Sequence, residues 1–173
     1  VHSIPLQDRR LGFVYQDFGL FPHMKVRANI EYGLRIKGMK RAACEEKSRN
    51  MMELLGICHL ADRYPGTLSG GEQQRTALAR ALIVDPRILF MDEPFSALDP
   101  NTKKQMYGLV REIHQLFGCT IVFVTHDFHE AEKLADRTAV IIGGRVRRIC
   151  DSRQLFLEKE DREVMEFLGI TAG

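Results

Sequence analysis

The segment Ile88-Leu89-Phe90-Met91-Asp92-Glu93-Pro94 is an apolar run that ends in two adjacent carboxylates and a proline. A short apolar run closed by proline reads as a strand of a buried parallel sheet, because proline cannot donate to the ladder beyond it. Ligands of open α/β sheets bind outside the carboxyl ends of the strands, and neighbouring strand side chains point to opposite faces. At such an edge Asp92 could hold a Mg²⁺ shell while Glu93 faces a water molecule. The same Asp-Glu-Pro could also simply end a strand in solvent.

Ser69-Gly70-Gly71-Glu72 carries two compatible readings. Serine followed three residues later by glutamate is a capping box. A capping box does not need two glycines, whereas bare backbone N–H groups at the positive end of a helix dipole attract an anion such as phosphate. The run Ile121-Val122-Phe123-Val124-Thr125 ends at His126-Asp127. It places an imidazole at the same sheet edge as Asp92 and Glu93 if the two strands are neighbours, where it could touch a phosphate oxygen. The alternative is a satisfied strand-end histidine. A metal pair of His126 with His129 lacks the carboxylate or cysteine cluster that would complete a ligand set.

These residues need elements to hold them. Apolar residues recur at three-to-four spacing from Val26 to about Ile36 and from Arg41 to about Leu55, which predicts helices. Pro65-Gly66 breaks the pattern, and a helix opens near Ser69 and runs to about Val84 before Asp85-Pro86 stops it. Strands are predicted at Leu11–Tyr15, Ile88–Met91, Thr120–Val124 and Thr138–Ile142, alternating with helices near 101–117 and 128–135. The alternation implies a parallel sheet, which the Gly143-Gly144 turn and Arg145–Cys150 extend as an antiparallel hairpin. Two amphipathic helical turns finish the chain. The 173 residues are 45% hydrophobic and 28% charged, enough for a real core. A net charge of +2 with scattered Lys and Arg gives no basic stripe, so nucleic acid is not expected as a partner. Cys44, Cys58, Cys119 and Cys150 are far apart without C-x-x-C and read as reduced thiols. No apolar stretch reaches the roughly 20 residues of a spanning helix.

Leu68 to Gln74 resembles the signature motif of ATP-binding cassette proteins, and Ile88 to Glu93 their Walker B strand with its catalytic glutamate. Ser96-Ala97-Leu98-Asp99 resembles the D-loop, Gln16 the Q-loop glutamine and Thr125-His126-Asp127 the switch histidine, all in the family's order. The resemblance implies an α/β P-loop NTPase, RecA-like, with a parallel-sheet core lacking its N-terminal strands and an α-helical signature subdomain inserted. Residues 1–16 would end the first core segment, 17–85 form the helical subdomain, and 86–173 complete the core. It also implies a homodimer or heterodimer of ATPase subunits arranged head to tail, with ATP and Mg²⁺ at the interface. Gln16 would contact Mg²⁺ or water and relay to the transporter, Asp92 would position Mg²⁺, Glu93 would activate water and His126 would sense the γ-phosphate. Ser69, Gly70, Gly71 and Gln73 would meet the ATP bound to the opposite subunit, and Asp99 would couple the two sites. The partners implied are transmembrane permease subunits and, indirectly, a periplasmic or extracellular solute-binding protein, at the cytoplasmic face of the membrane.

Phe13-Val14-Tyr15-Gln16-Asp17, Leu20-Phe21-Pro22-His23-Met24 and Val26-Arg27-Ala28-Asn29-Ile30 resemble the importers for sulfate, molybdate or tungstate, and polyamines. Phe18, Phe21, Pro22 and Met24 could form the permease-docking groove, or pack a core. A rival reading is a degenerate, non-catalytic module that lends its signature motif to a complete partner. A soluble cassette ATPase of DNA repair or translation would need coiled-coil heptads or a basic face, which the sequence lacks.

One part of the family pattern does not occur in these residues: there is no G-x-x-x-x-G-K-[ST] and no Gly-Lys dipeptide. That loop supplies backbone N–H groups, a lysine on the β/γ-phosphates and a hydroxyl on Mg²⁺. The chain opens on Val1, with an interior-looking strand soon after, and reads as a fragment of a longer domain, beginning downstream of that domain's loop. The 173 residues made alone are therefore expected neither to bind nor to hydrolyse ATP measurably. Titration of the purified chain with a fluorescent ATP analogue checks this, and tight binding would overturn it.

Overall fold

The computed structural model describes residue 5, residues 9–157 and residues 161–170. Ile4 and Leu6 to Asp8, which precede the first strand in sequence, lie outside the described residues. The chain forms two compact units, Val1–Val124 and Thr125–Gly173.

The first unit is built on a three-stranded parallel sheet of β1 (Leu11–Val14), β2 (Ile88–Asp92) and β3 (Thr120–Val124), with β2 in the middle. Val14 pairs with Met91, and Asp92 pairs with Val124, so the residues following β1 and β3 emerge at the edge where β2 ends. Between β1 and β2 the chain detours through α1 (Val26–Ile36), α2 (Arg41–Leu54), two short 3₁₀ turns and α3 (Gly70–Leu82). After β2, α4 (Pro100–Phe117) returns the chain to β3.

The helical detour packs around the apolar faces that the spacing marks out. Val26, Ile30 and Leu34 of α1, Met51 and Met52 of α2, and Ala77, Leu78, Ala81 and Leu82 of α3 are all buried. Helix α3 also lies on β1, and so closely that a Cβ on Gly12 would stand 3.1 Å from the Ala81 carbonyl oxygen. Any larger residue at position 12 would push α3 back by a few tenths of an ångström, so glycine favours that approach.

One buried polar residue ties the loop after β1 to the helical detour. The Asn29 side chain is fully buried and accepts from the Phe21 N–H at 2.8 Å. Its amide donates to the carbonyls of Phe21 (3.1 Å) and Met24 (2.9 Å), forming a clasp that closes the 21–24 loop onto α1. A buried amide satisfied on both sides is a strong constraint, because removing it orphans several backbone groups at once.

The second unit contains α5 (Phe128–Leu134), β4 (Arg137–Ile142), β5 (Arg145–Asp151), a 3₁₀ segment over Ser152–Leu157 and α6 (Arg162–Leu168). Here the structure corrects the sequence reading. Among the described residues β4 and β5 form a two-stranded antiparallel sheet of their own rather than a continuation of the parallel sheet. The physical reason lies in what β4 buries: Val140 packs with Leu155, Val164 and Leu168, a small core local to this unit. Among the described residues no helix is long and apolar enough to cross a membrane.

Asn29→Ala is expected to lower the stability of the chain by about 3 kcal/mol, since it leaves buried donors and acceptors of the 21–24 loop without partners. Urea unfolding checks this: the midpoint should fall with the slope unchanged. An unaltered midpoint would mean the clasp is not a structural constraint.

Candidate functional site

The sheet edge gathers the first group of expected residues. Gln16, two residues past β1, and Asp92, the last residue of β2, line one open cleft of about 740 Å³ together with Tyr15, Asp17, Ser96 and Ala97. Both Gln16 and Asp92 are exposed. The cleft offers the carboxylates of Asp92 and Asp17 and the amide oxygen of Gln16, all hard donors, which fits Mg²⁺, an ion usually held by one or two carboxylates with phosphates and water completing its shell.

Glu93 differs from the simple alternation of a strand. β2 ends at Asp92, and Glu93 stands at φ 44° in the left-handed region, where residues other than glycine are strained. The direction of its side chain is therefore set by this turn and not by the pleat. Hydrogen bonds to both neighbours hold the turn. The Glu93 N–H donates to the Val124 carbonyl at 3.0 Å, and the Glu93 carbonyl accepts from the Ser96 N–H at 3.3 Å and the Ser96 hydroxyl at 3.0 Å.

The second group forms around the start of α3. Ser69 is the N-cap and the capping box is complete: the Glu72 N–H reaches the Ser69 hydroxyl at 3.4 Å, and the Glu72 carboxylate accepts from the Ser69 N–H at 2.8 Å and its hydroxyl at 2.9 Å. The backbone bond from Ser69, then the hydroxyl bond, hold the Glu72 carboxyl below its ordinary pKa. Ser69, Gly70, Gly71 and Glu72 share a pocket of about 270 Å³ with Leu98 and Asp99. A Cβ on Gly71 would come within 2.8 Å of the Thr102 methyl, so α3 and α4 meet where only glycine fits.

Asp99 is brought to this pocket as the N-cap of α4. Its carboxylate accepts from the Thr102 hydroxyl at 2.5 Å and from the N–H groups of Asn101 (3.0 Å) and Thr102 (3.2 Å). The Thr102 hydroxyl is the main cause of its lowered pKa. Gln73 behaves differently from its neighbours, turning its amide back onto the Leu68 carbonyl at 3.2 Å.

His126 belongs to the second unit, two residues after β3 ends. β2 and β3 are indeed neighbours. The residues flanking His126 are tied down: the Asp127 N–H donates to the Thr125 hydroxyl at 3.0 Å, that hydroxyl donates to the buried Glu130 at 2.5 Å, and Asp127 caps α5 through the His129 N–H at 3.0 Å. His126 and His129 are both exposed, and the His129 ring lies 5.5 Å from that of Phe156, with Glu132 at 3.7 Å.

Two residues that the sequence reading left out support the site from within α3. Gln74 is completely buried and donates its amide N–H to the Pro94 carbonyl at 2.5 Å. Arg80 donates to the Gly19 carbonyl at 2.7 Å and the Phe18 carbonyl at 3.1 Å, and lies 5.1 Å from the centre of the Phe21 ring. Burial draws the Arg80 pKa below the usual arginine value. The sequence did carry a signal for Gln74, which occupies the apolar stripe of α3 with Ala77, Leu78 and Ala81 at the spacing of one helix face. Nothing in the spacing singles out Arg80.

A central parallel strand ending in Asp92, an exposed glutamine at the same edge and a capped, glycine-led helix define a P-loop NTPase fold of the kind that handles nucleoside triphosphates. Residues 2–96 match the model of the ABC transporter family, and the chain belongs to that family. It is 42% identical over 169 residues to a sulfate/thiosulfate import ATP-binding protein of Agrobacterium fabrum, an alignment spanning 96% of this chain and 50% of the relative. It is 43% identical over 169 residues to a molybdate/tungstate import ATP-binding protein of Pyrococcus horikoshii, spanning 98% of this chain and 49% of that protein. A sulfate/thiosulfate import ATP-binding protein of Escherichia coli is 43% identical over 173 residues, with 98% and 47% covered. The chain thus spans about half the length of the curated relatives it matches.

The capping box makes a pH-dependent prediction. Because the folded-state pKa of Glu72 lies below its unfolded value, its contribution is fully present above the unfolded glutamate pKa of about 4.3 and is lost as pH falls through the lowered one. Glu72→Ala should cost about 1 kcal/mol at neutral pH. The gap from the parent chain should narrow as urea titrations are repeated from pH 5 downward. A gap that does not change over that range would mean the carboxylate form is not what the cap uses.

Proposed function

We propose that this chain is part of the ATP-binding subunit of an ABC importer, coupling ATP hydrolysis to the uptake of a solute, with an oxyanion such as sulfate, molybdate or tungstate as the substrate class. The observation that carries the proposal is the cleft shared by Gln16 and Asp92, in the same compact unit as the capped glycine-led start of α3. One end suits a metal-bound phosphate and the other a phosphate without its own cation. The names of the relatives, all import ATP-binding proteins, support the importer assignment and its oxyanion class.

In this reading Asp92 and Gln16 hold Mg²⁺, which neutralises charge on the phosphates when bound. Glu93 takes a proton from the water that attacks the γ-phosphoryl group in line, as the bond from the γ-phosphorus to the bridging oxygen breaks and ADP leaves. The exposed His126 imidazole donates a hydrogen bond to the γ-phosphate. Ser69, Gly70, Gly71 and Gln73 act in trans, offering donors to the ATP held by a second ATPase subunit, and Asp99 at the same pocket couples the two sites. The division of labour follows residues 1–16, 17–85 and 86–173. The permease subunits dock on the loop carrying Phe18, Phe21, Pro22 and Met24. This loop is anchored by Arg80 and Asn29 and exposes Pro22, so a push on it reaches α1 and α3 through part-buried hydrogen bonds. The assembly sits peripherally at the cytoplasmic face of the membrane and receives its solute through a solute-binding protein.

The test joins the chain to an N-terminal segment carrying the G-x-x-x-x-G-K-[ST] loop. The fused protein is expected to hydrolyse ATP in the presence of Mg²⁺. Glu93→Gln should lower kcat about 10²-fold or more while ATP binding persists. Turnover that does not respond to Glu93→Gln would refute the assignment of the base, and a fusion that binds ATP without turnover would favour a module that only lends its signature motif.

A further inference from the structure

Among the described residues, Gln74 makes a buried polar contact that the proposed chemistry does not use. Gln74 has no exposed surface and sits on α3, the helix whose first turn carries the signature residues. Its Nε2 donates to the carbonyl of Pro94, the residue directly after Glu93. Its Oε1 is buried with no hydrogen-bond partner.

A buried amide oxygen without a partner is costly, and a core position that tolerates it is held there by the other half of the amide. The reverse orientation of the amide would set two oxygens face to face. Leucine or methionine would pack the stripe with no unsatisfied atom of its own, but would leave the buried Pro94 carbonyl without a donor. Proline in turn offers no N–H, so the Glu93–Pro94 turn is fixed on one side by its carbonyls. The Glu93 carbonyl accepts from Ser96, and the Pro94 carbonyl accepts from Gln74. This is the turn that holds Glu93 at positive φ.

We propose that Gln74 is a positioning residue for Glu93: from the signature helix it clamps the Pro94 carbonyl and so sets the left-handed turn that aims the Glu93 carboxylate. The clamp also links two parts of the site. A displacement of α3 caused by phosphate at Ser69–Gly71 passes through one hydrogen bond to the turn carrying the base. The catalytic part of this inference rests on the function proposed above; the structural part does not.

Two measurements separate them. The first uses the chain itself. In Gln74→Met, amide hydrogen exchange should quicken at least tenfold at Glu93 and Ser96, whose N–H groups close the turn, and stay within about twofold along α1 and the interior of α3. Exchange that does not change at Glu93 and Ser96, or that rises uniformly over the first unit, would overturn the clamp. The second uses the fusion carrying the phosphate loop. There Gln74→Met should lower kcat about tenfold with KM for ATP nearly unchanged, and should cost nothing further in the Glu93→Gln background. A kcat equal to the parent's, or an equal loss in the Glu93→Gln background, would overturn the positioning role. If the parent fusion itself does not turn over, the function proposed above fails, and the exchange result alone decides whether Gln74 holds the turn.

Discussion

The close seating of helix α3 is the constraint on which the first unit depends. The helix lies over β1 where Gly12 admits the Ala81 carbonyl, and it meets α4 where Gly71 admits Thr102. Between those contacts it sends a buried amide to Pro94 and a half-buried guanidinium to Phe18 and Gly19. A guanidinium held away from water is costly unless carbonyls take up its donors, and here two do. One rigid element therefore fixes the glycine-led N-terminus, the turn after β2 and the loop after Gln16. A helix that slid by a fraction of a turn would have to break all of these contacts together.

The left-handed conformation of Glu93 acquires meaning in that setting. Strain of this kind costs about 1–3 kcal/mol and survives only where the surroundings over-determine it. Val124 on one side, Ser96 on the next turn and Gln74 from α3 supply that over-determination. Asp92, still within the strand and paired with Val124, follows the pleat instead. Two adjacent carboxylates are thus separated by backbone geometry as well as by sequence.

Much of this could be read from the residues. α1 and α2 follow from the spacing of their apolar positions, with bounds that agree with the structure to within a residue, and the capping box of Ser69 and Glu72 fixes the start of α3. The strand leading to Asp92 is equally plain, because an apolar run closed by Asp-Glu-Pro has few other uses, although the expected end at Met91 falls one residue short. What escaped depends on pairing and on long-range contacts. Alternation along Arg137–Ile142 tells which face is apolar but not which strand lies alongside, so the hairpin emerged as a separate sheet. Alternation also misassigned Glu93, since the strand ends one residue earlier. Within Gln73-Gln74 the spacing favours Gln74 as the core residue, yet only the structure identifies Pro94 as its partner. Arg80 finds carbonyls 61 and 62 residues away in sequence, a pairing that no local pattern encodes.

The central claim is that one chain contributes to two nucleotide sites, the Gln16–Asp92 cleft to its own and the start of α3 to its neighbour's. A crystal structure of the phosphate-loop fusion, carrying Glu93→Gln and bound to Mg²⁺ and ATP, tests it most directly. The expected result is a two-fold dimer in which Asp92 and Gln16 of one subunit face the Mg²⁺, while Ser69 and Gly71 of the other lie within hydrogen-bonding distance of the same γ-phosphate. ATP enclosed by a single subunit, with Ser69 and Gly71 turned to solvent, would contradict it.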